Sequence, residues 1–290
     1  MAASAKMPWN DRAGRFSALK AVVFAGLFVP AVLLAWSWVA GALGPRPVTE
    51  AIHETGDWAI RLLFISLAVT PLRRIADWPK LIVVRRMIGV AALFYGLAHL
   101  GLYVIDQNLD LARVASEITL RIYLTIGFVA LTGLVILGAT STDAAIKKLG
   151  RKWNRLHKVV YAIGILAALH FFMQTKADVY EATLMSGLFV LLMGYRLAHW
   201  RGFSLASPIV LISAAVLSAL ATAALEYAWY GFATGIPPLR VLAANLQFAF
   251  SVRPAWWVLA IGAAIAVVPI LRPMIGGSAS SRRPARAPAE

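Results

Sequence analysis

The chain has 290 residues, 60% of them hydrophobic, with a mean hydropathy of +0.74, a formal charge of +15 and no cysteine. Soluble domains are only about 45–50% apolar, so this composition excludes a soluble globular protein. The missing cysteine excludes disulfides, thiolate-held iron–sulfur clusters, c-type haem attachment and a cysteine nucleophile.

Several apolar runs approach the ~20 residues that cross a bilayer as a helix, and no alternating barrel pattern is present. The expected fold is an all-α integral membrane protein. Residues 1–20 are polar and basic (Lys6, Arg12, Arg15, Lys20). The first apolar run, 21–43, is longer than the 7–15 residues of a signal-peptide core. It therefore reads as a first span, although Ala40-Gly41-Ala42 resembles a cleavage site. Residues 44–57 read as a loop containing His53. Span two, 58–72, is short and holds Arg61. A basic loop follows, with Arg73, Arg74, Lys80, Arg85 and Arg86, and leads into span three, 81–105, which carries His99. After an acidic-leaning loop come span four, 118–139, and a second basic loop with Lys147, Lys148, Arg151, Lys152 and Arg155.

Span five, 154–174, has His157 at its start and His170 near its end. Span six, 182–199, ends at His199. Spans seven (208–230) and eight (255–271) flank a short apolar piece, 241–250. Residues 276–290 are rich in Gly, Ser, Arg, Pro and Ala and read as a disordered basic tail.

With a cytoplasmic N-terminus, alternation places 21 of the 28 Lys and Arg on the inside. This is the bias expected of a bacterial inner-membrane protein with both termini cytoplasmic. It accounts for the high charge without nucleic acid as a partner; the expected surroundings are membrane lipid.

His99 and His170 both fall at the outer ends of helices that run from inside to outside. Two neutral imidazoles on facing helices are the usual axial ligands of a low-spin b-type haem. His157 lies thirteen residues before His170, about 20 Å along the axis and turned by roughly 220°. Tilt, a local kink or a role away from haem each account for it. Arg85 lies fourteen residues before His99, rotated by only about 40° on an ideal helix. Arg85 and Arg86 suit haem propionates or the second face of a haem, and Arg85 equally suits a positive-inside anchor. His199 suits an inner cofactor but reads first as an interfacial histidine, His53 suits a quinone site or a partner contact but reads first as a solvated loop histidine, and Trp36, Trp38, Trp256 and Trp257 read as members of interfacial belts.

The segments GPRPVTEAIHETGDWAIRLLFISLAVTPLRR, LIVVRRMIGVAALFYGLAHLGLY, EITLRIYLTIGF and TSTDAAIKKLGRKWNRLHKVVYAIGILAALHF together resemble the MsrQ (YedZ) family of the ferric-reductase-like transmembrane group. The resemblance covers about residues 44–173. It implies a six-helix core at 21–202 with haem b, one or two per chain, at His99, His170, His157 and Arg85, and it implies a flavin mononucleotide whose site no motif shows. It also implies electrons taken from the quinone pool or a cytosolic flavin reductase. The resemblance further implies their delivery to the periplasmic molybdopterin reductase MsrP, which repairs oxidised methionine. The chain departs from the six-helix pattern after residue 203, where 203–275 reads as an accessory helical pair.

Two other functions fit less well. A ferric or other metal reductase usually carries a nucleotide-binding domain, and no GxGxxG-bearing domain is present. A transporter is expected to show inverted repeats and midplane ionisable groups, whereas the histidines here lie towards helix ends.

Overall fold

The computed structural model describes residues 7–11, 13–176, 178–248 and 251–275. The disordered tail expected at 276–290 lies outside them. The regular structure among the described residues is helical. Seven helical stretches are long and apolar enough to cross a membrane: Ala18–Val39, Pro79–Asp106, Ile122–Ala139, Arg151–Thr175, Tyr180–Trp200, Pro208–Thr234 and Pro254–Arg272. The protein is an all-α, multi-pass membrane protein.

The first span is broken into α1 (Ala18–Gly26) and α2 (Val29–Val39). Pro30 has no N–H and its ring crowds the preceding turn, which opens the ladder. The Tyr95 hydroxyl enters the gap, donating to the Leu27 carbonyl at 2.8 Å and accepting from the Ala31 N–H at 3.1 Å. One side chain thus replaces the lost helical bond and fixes the first span to the helix that carries Tyr95.

Helix α3 runs from Pro47 to Ile75, 29 residues or about 43 Å. It absorbs both the expected loop at 44–57 and the short second span. Pro47 at the first helical position and Glu50 in the first turn are favourable starts, since the proline lacks only a donor that has no partner there and the carboxylate faces the positive helix end. Its charge density keeps it out of the seven apolar stretches above. Arg61 is neutralised in place: it donates to Glu181 at 2.7 Å and lies 3.5 Å from Asp57.

After a short 3-10 turn comes α4 (Ile82–Asp106). The amphipathic α5 (Leu111–Leu120) lies where a loop was expected, opened by the Asp110 carboxylate accepting from the Arg113 N–H. Then follow α6 (Ile122–Ala139), α7 (Asp143–Leu149), α8 (Arg151–Leu156), α9 (Val160–Thr175) and α10 (Tyr180–Trp200). The C-terminal part comprises α11 (Pro208–Trp229), a short α12 (Pro238–Ala244) that overlaps the start of the apolar piece at 241–250, and α13 (Pro254–Ile275).

Helix α3 packs along α4, α6 along α9, and α3 also meets α9 and α10; α10 joins this group to α11 and α13. Leu63, Leu67, Val84, Ile163, Leu191 and Tyr195 form the shared core. Lipid is as apolar as these side chains, so close packing and internal polar ties hold the helices together rather than burial alone. Gly262 shows the first effect, lying so near Ala215 that a Cβ there would come within 2.5 Å of the alanine methyl. Glu226, fully buried on α11, shows the second, paired with Arg253 just before α13.

Candidate functional site

A chamber of about 940 Å³ opens between α3, α4, α5, α6, α9 and the start of α10. Its wall is apolar at depth (Leu63, Leu131, Leu134) and charged at the rim (Arg113, Glu117, Glu181). His99 on α4 and His170 on α9 face it from opposite sides, each half-buried because one side of the ring meets the void.

The two ring centres are 6.2 Å apart and the ring planes cross at 83°. Imidazole nitrogens bind transition metals at about 2.0–2.1 Å, and adding ~1.1 Å to each ring centre puts two rings on opposite faces of one ion about 6.2–6.4 Å apart. The 6.2 Å between the ring centres matches that length.

The His99 Nδ1 lies 2.8 Å from the Ile52 carbonyl oxygen, and the His170 Nδ1 lies 2.8 Å from that of Tyr123. A carbonyl oxygen only accepts, so each Nδ1 carries the proton and each Nε2 keeps a lone pair. This is how a histidine is prepared as a metal ligand, with tautomer and ring orientation fixed by the second nitrogen. Among the described residues no group of three or more His, Cys, Asp and Glu is placed to hold a metal ion. Two ligands suit an ion whose other positions are filled by a macrocycle.

The other end of the bundle is basic. His157 lies in a 3-10 turn, His157–Val159, between α8 and α9. Three residues wound at 3.0 per turn add roughly 60° to the rotation between His157 and His170, bringing them nearer one face. The His157 ring stacks on Trp153 at 3.9 Å, and its Nε2 lies 3.2 Å from the Thr140 hydroxyl. Arg85 is the charge beside it, with Arg73, Arg196 and Tyr161 close to Arg85. Arg196 donates to the carbonyls of Leu67 at 2.6 Å and Leu192 at 3.0 Å and to the Tyr161 hydroxyl at 3.2 Å. Arg86 points elsewhere, to Asp143 at 2.5 Å on the exposed side.

The structure therefore joins His99 to His170, sets His157 with Arg85 at the opposite end, and turns Arg86 outward. His53, expected in a loop, lies on α3 and lines the chamber. Arg196 has no place in the reading of the sequence, yet an arginine inside an apolar helix is itself a signal of a partner. The carbonyls of Ile52 and Tyr123 leave no mark in side-chain identity.

A family model described as "Ferric reductase like transmembrane component" matches residues 55–168. The protein-methionine-sulfoxide reductase heme-binding subunit MsrQ of Xanthomonas campestris pv. campestris (strain 8004) is 43% identical over 194 residues, covering 64% of this chain and 88% of that protein. The chain belongs to the MsrQ family. A second MsrQ, from Bordetella pertussis (strain Tohama I), is 37% identical over 185 residues, covering 63% of this chain and 90% of its own length. About a third of the present chain thus has no counterpart in either MsrQ alignment. No solved structure matches the chain.

Proposed function

We propose that this chain is a membrane electron-transfer subunit that holds haem b between His99 and His170. It passes electrons from the cytoplasmic side to a periplasmic methionine sulfoxide reductase of the MsrP type. The 6.2 Å gap between two imidazoles, each with Nδ1 bonded to a backbone carbonyl, carries the reading. When bound, the haem supplies one-electron chemistry; the protein supplies position and polarity.

His99 and His170 offer Nε2 to the iron. Donation from Nδ1 to a carbonyl makes each a stronger ligand. The apolar lining at Leu63, Leu131 and Leu134 would receive such a group, and Arg113, Glu117 and Glu181 would meet its polar substituents. Excess Lys and Arg at the opposite end orient the bundle in the inner membrane with that end and both termini cytoplasmic. There His157 and Arg85 are the residues for a second cofactor, and the contact of His157 with Thr140 must open for its Nε2 to serve. A quinol or a cytosolic flavin reductase is the donor, and flavin mononucleotide rests on family resemblance alone. Residues 21–202 form the electron-transfer unit and 203–275 an accessory helical unit.

The test is a dithionite-reduced minus air-oxidised visible spectrum of the detergent-purified protein, with pyridine-haemochrome quantification. A sharp low-spin b-type spectrum with at least one haem per chain is expected. A folded preparation, grown with ample haem and containing none, overturns the reading.

A further inference from the structure

The two histidines are held in the same way to a degree that general chemistry does not require. In each case 47 residues separate the histidine from the carbonyl it bonds. Each ring also lies against a glycine four residues beyond that carbonyl, His99 on Gly56 and His170 on Gly127. The offset between the two sets is one number, 71 residues: Ile52 to Tyr123, Gly56 to Gly127, His99 to His170.

The same offset carries one wall of the chamber onto the other. Ile60 maps on Leu131, Leu63 on Leu134 and Leu100 on Phe171, and all six line the cavity. Helices α3 and α4 thus correspond to α6 and α9, pair for pair and in the same sense. This differs from the inverted repeats of transporters. The correspondence ends on one flank: His53 and Asp57 on α3 become Leu124 and Phe128 on α6. There α10 covers α3 and brings Glu181 to Arg61, whereas Phe128 is exposed.

We propose that the chamber is a tandem of two equivalent helical hairpins, and that Gly56 and Gly127 are its matched positioning residues, each setting the plane of one histidine ring. The inference rests on the haem reading above only for its spectroscopic consequences. A Cβ at Gly56 would come 2.9 Å from the His99 Nδ1, and one at Gly127 would come 2.7 Å from the His170 Nδ1 and Cε1. Both distances are too short for any Cβ. The obstructing atoms belong to a rigid ring whose Nδ1 is already bonded, so the ring can yield only by leaving its carbonyl. Glycine therefore admits the imidazole close to the helix, and the carbonyl one turn back accepts the hydrogen bond from its Nδ1–H.

The experiment is a pair of mutant cycles on the full chain in detergent. Gly56→Ala is expected to lower the thermal unfolding midpoint. His99→Ala removes the ring in the way, so the effect of Gly56→Ala should fall to near zero in that background. Gly127→Ala should behave likewise with His170→Ala. The crossed combination, Gly127→Ala with His99→Ala, should keep its full effect, because coupling is confined to groups in contact. If Gly56→Ala prevents folding, adding His99→Ala restores it. In haem-loaded protein, Gly56→Ala and Gly127→Ala should each alter the low-spin ferric electron paramagnetic resonance signal or reduce the low-spin fraction. Gly101→Ala, whose Cβ meets open space, should change nothing. Coupling that is absent within both pairs, or equal in the crossed combination, overturns the proposal. Wild-type protein without haem overturns the functional reading instead and leaves the stability cycles to be judged separately.

Discussion

The two ends of this bundle treat their histidines in opposite ways. At the chamber, His99 and His170 spend Nδ1 on backbone carbonyls and turn toward a space of about 940 Å³. At the basic end, His157 has a hydroxyl at Nε2 and a tryptophan on its face, and Arg196 is tied to two carbonyls and a phenol. One end leaves two imidazoles facing an open chamber, while much of the other is satisfied by its own chain. Counting histidines along the sequence gives the two ends similar standing; their hydrogen bonds separate them.

The sharpest way to break this contrast is at the chamber. His99→Ala or His170→Ala should remove the chamber haem entirely, a loss of one haem equivalent per chain by pyridine haemochrome. His157→Ala should leave that low-spin spectrum intact. Equal loss from all three in folded protein would erase the distinction between the ends.

A second contrast sets the chamber against the C-terminal helices. Glu226 is fully buried with Arg253 as its partner, and removing one member of a buried pair costs about 3–5 kcal/mol. Glu226→Ala should therefore lower the unfolding midpoint of α11–α13 clearly, while the visible spectrum below that temperature stays unchanged. A spectral change would mean that the C-terminal helices help shape the chamber.

Smaller effects refine the basic end. Arg196→Met deletes charge-assisted bonds to the Leu67 and Leu192 carbonyls; such bonds are worth about 1.5–3 kcal/mol. The loss should appear in thermal unfolding with haem content retained at the chamber. His157→Ala removes one stack and one hydrogen bond, together about 1–3 kcal/mol against two charge-assisted bonds at Arg196, and should be the mildest. A loss from His157→Ala far beyond this, accompanied by loss of a second haem, would show that His157 serves a cofactor as well as the fold.

Much of this was legible from residue order. Apolar run lengths gave the spanning helices, and lysine and arginine placement distinguished the two ends. The depth of His99 and His170 along helices of the same direction proposed their meeting, and the structure brings them to 6.2 Å. The polar first half of α3 was read as a loop, because hydropathy averages over a helix and cannot see that Asp57, Arg61 and Glu181 neutralise one another. Arg86 looked equivalent to Arg85 as its neighbour, yet successive helical residues point about 100° apart, and Asp143 receives it.

The sequence by itself determined that the chain is an α-helical membrane protein, which end is basic, and which imidazoles share a depth, because all three depend on local hydropathy, charge and helical rise. Only the tertiary structure decided which nitrogen each imidazole gives away, how far apart the rings stand, and that Gly56 and Gly127 make room for them. Those depend on backbone carbonyls and on space left between helices, and neither is a property of any residue's side chain.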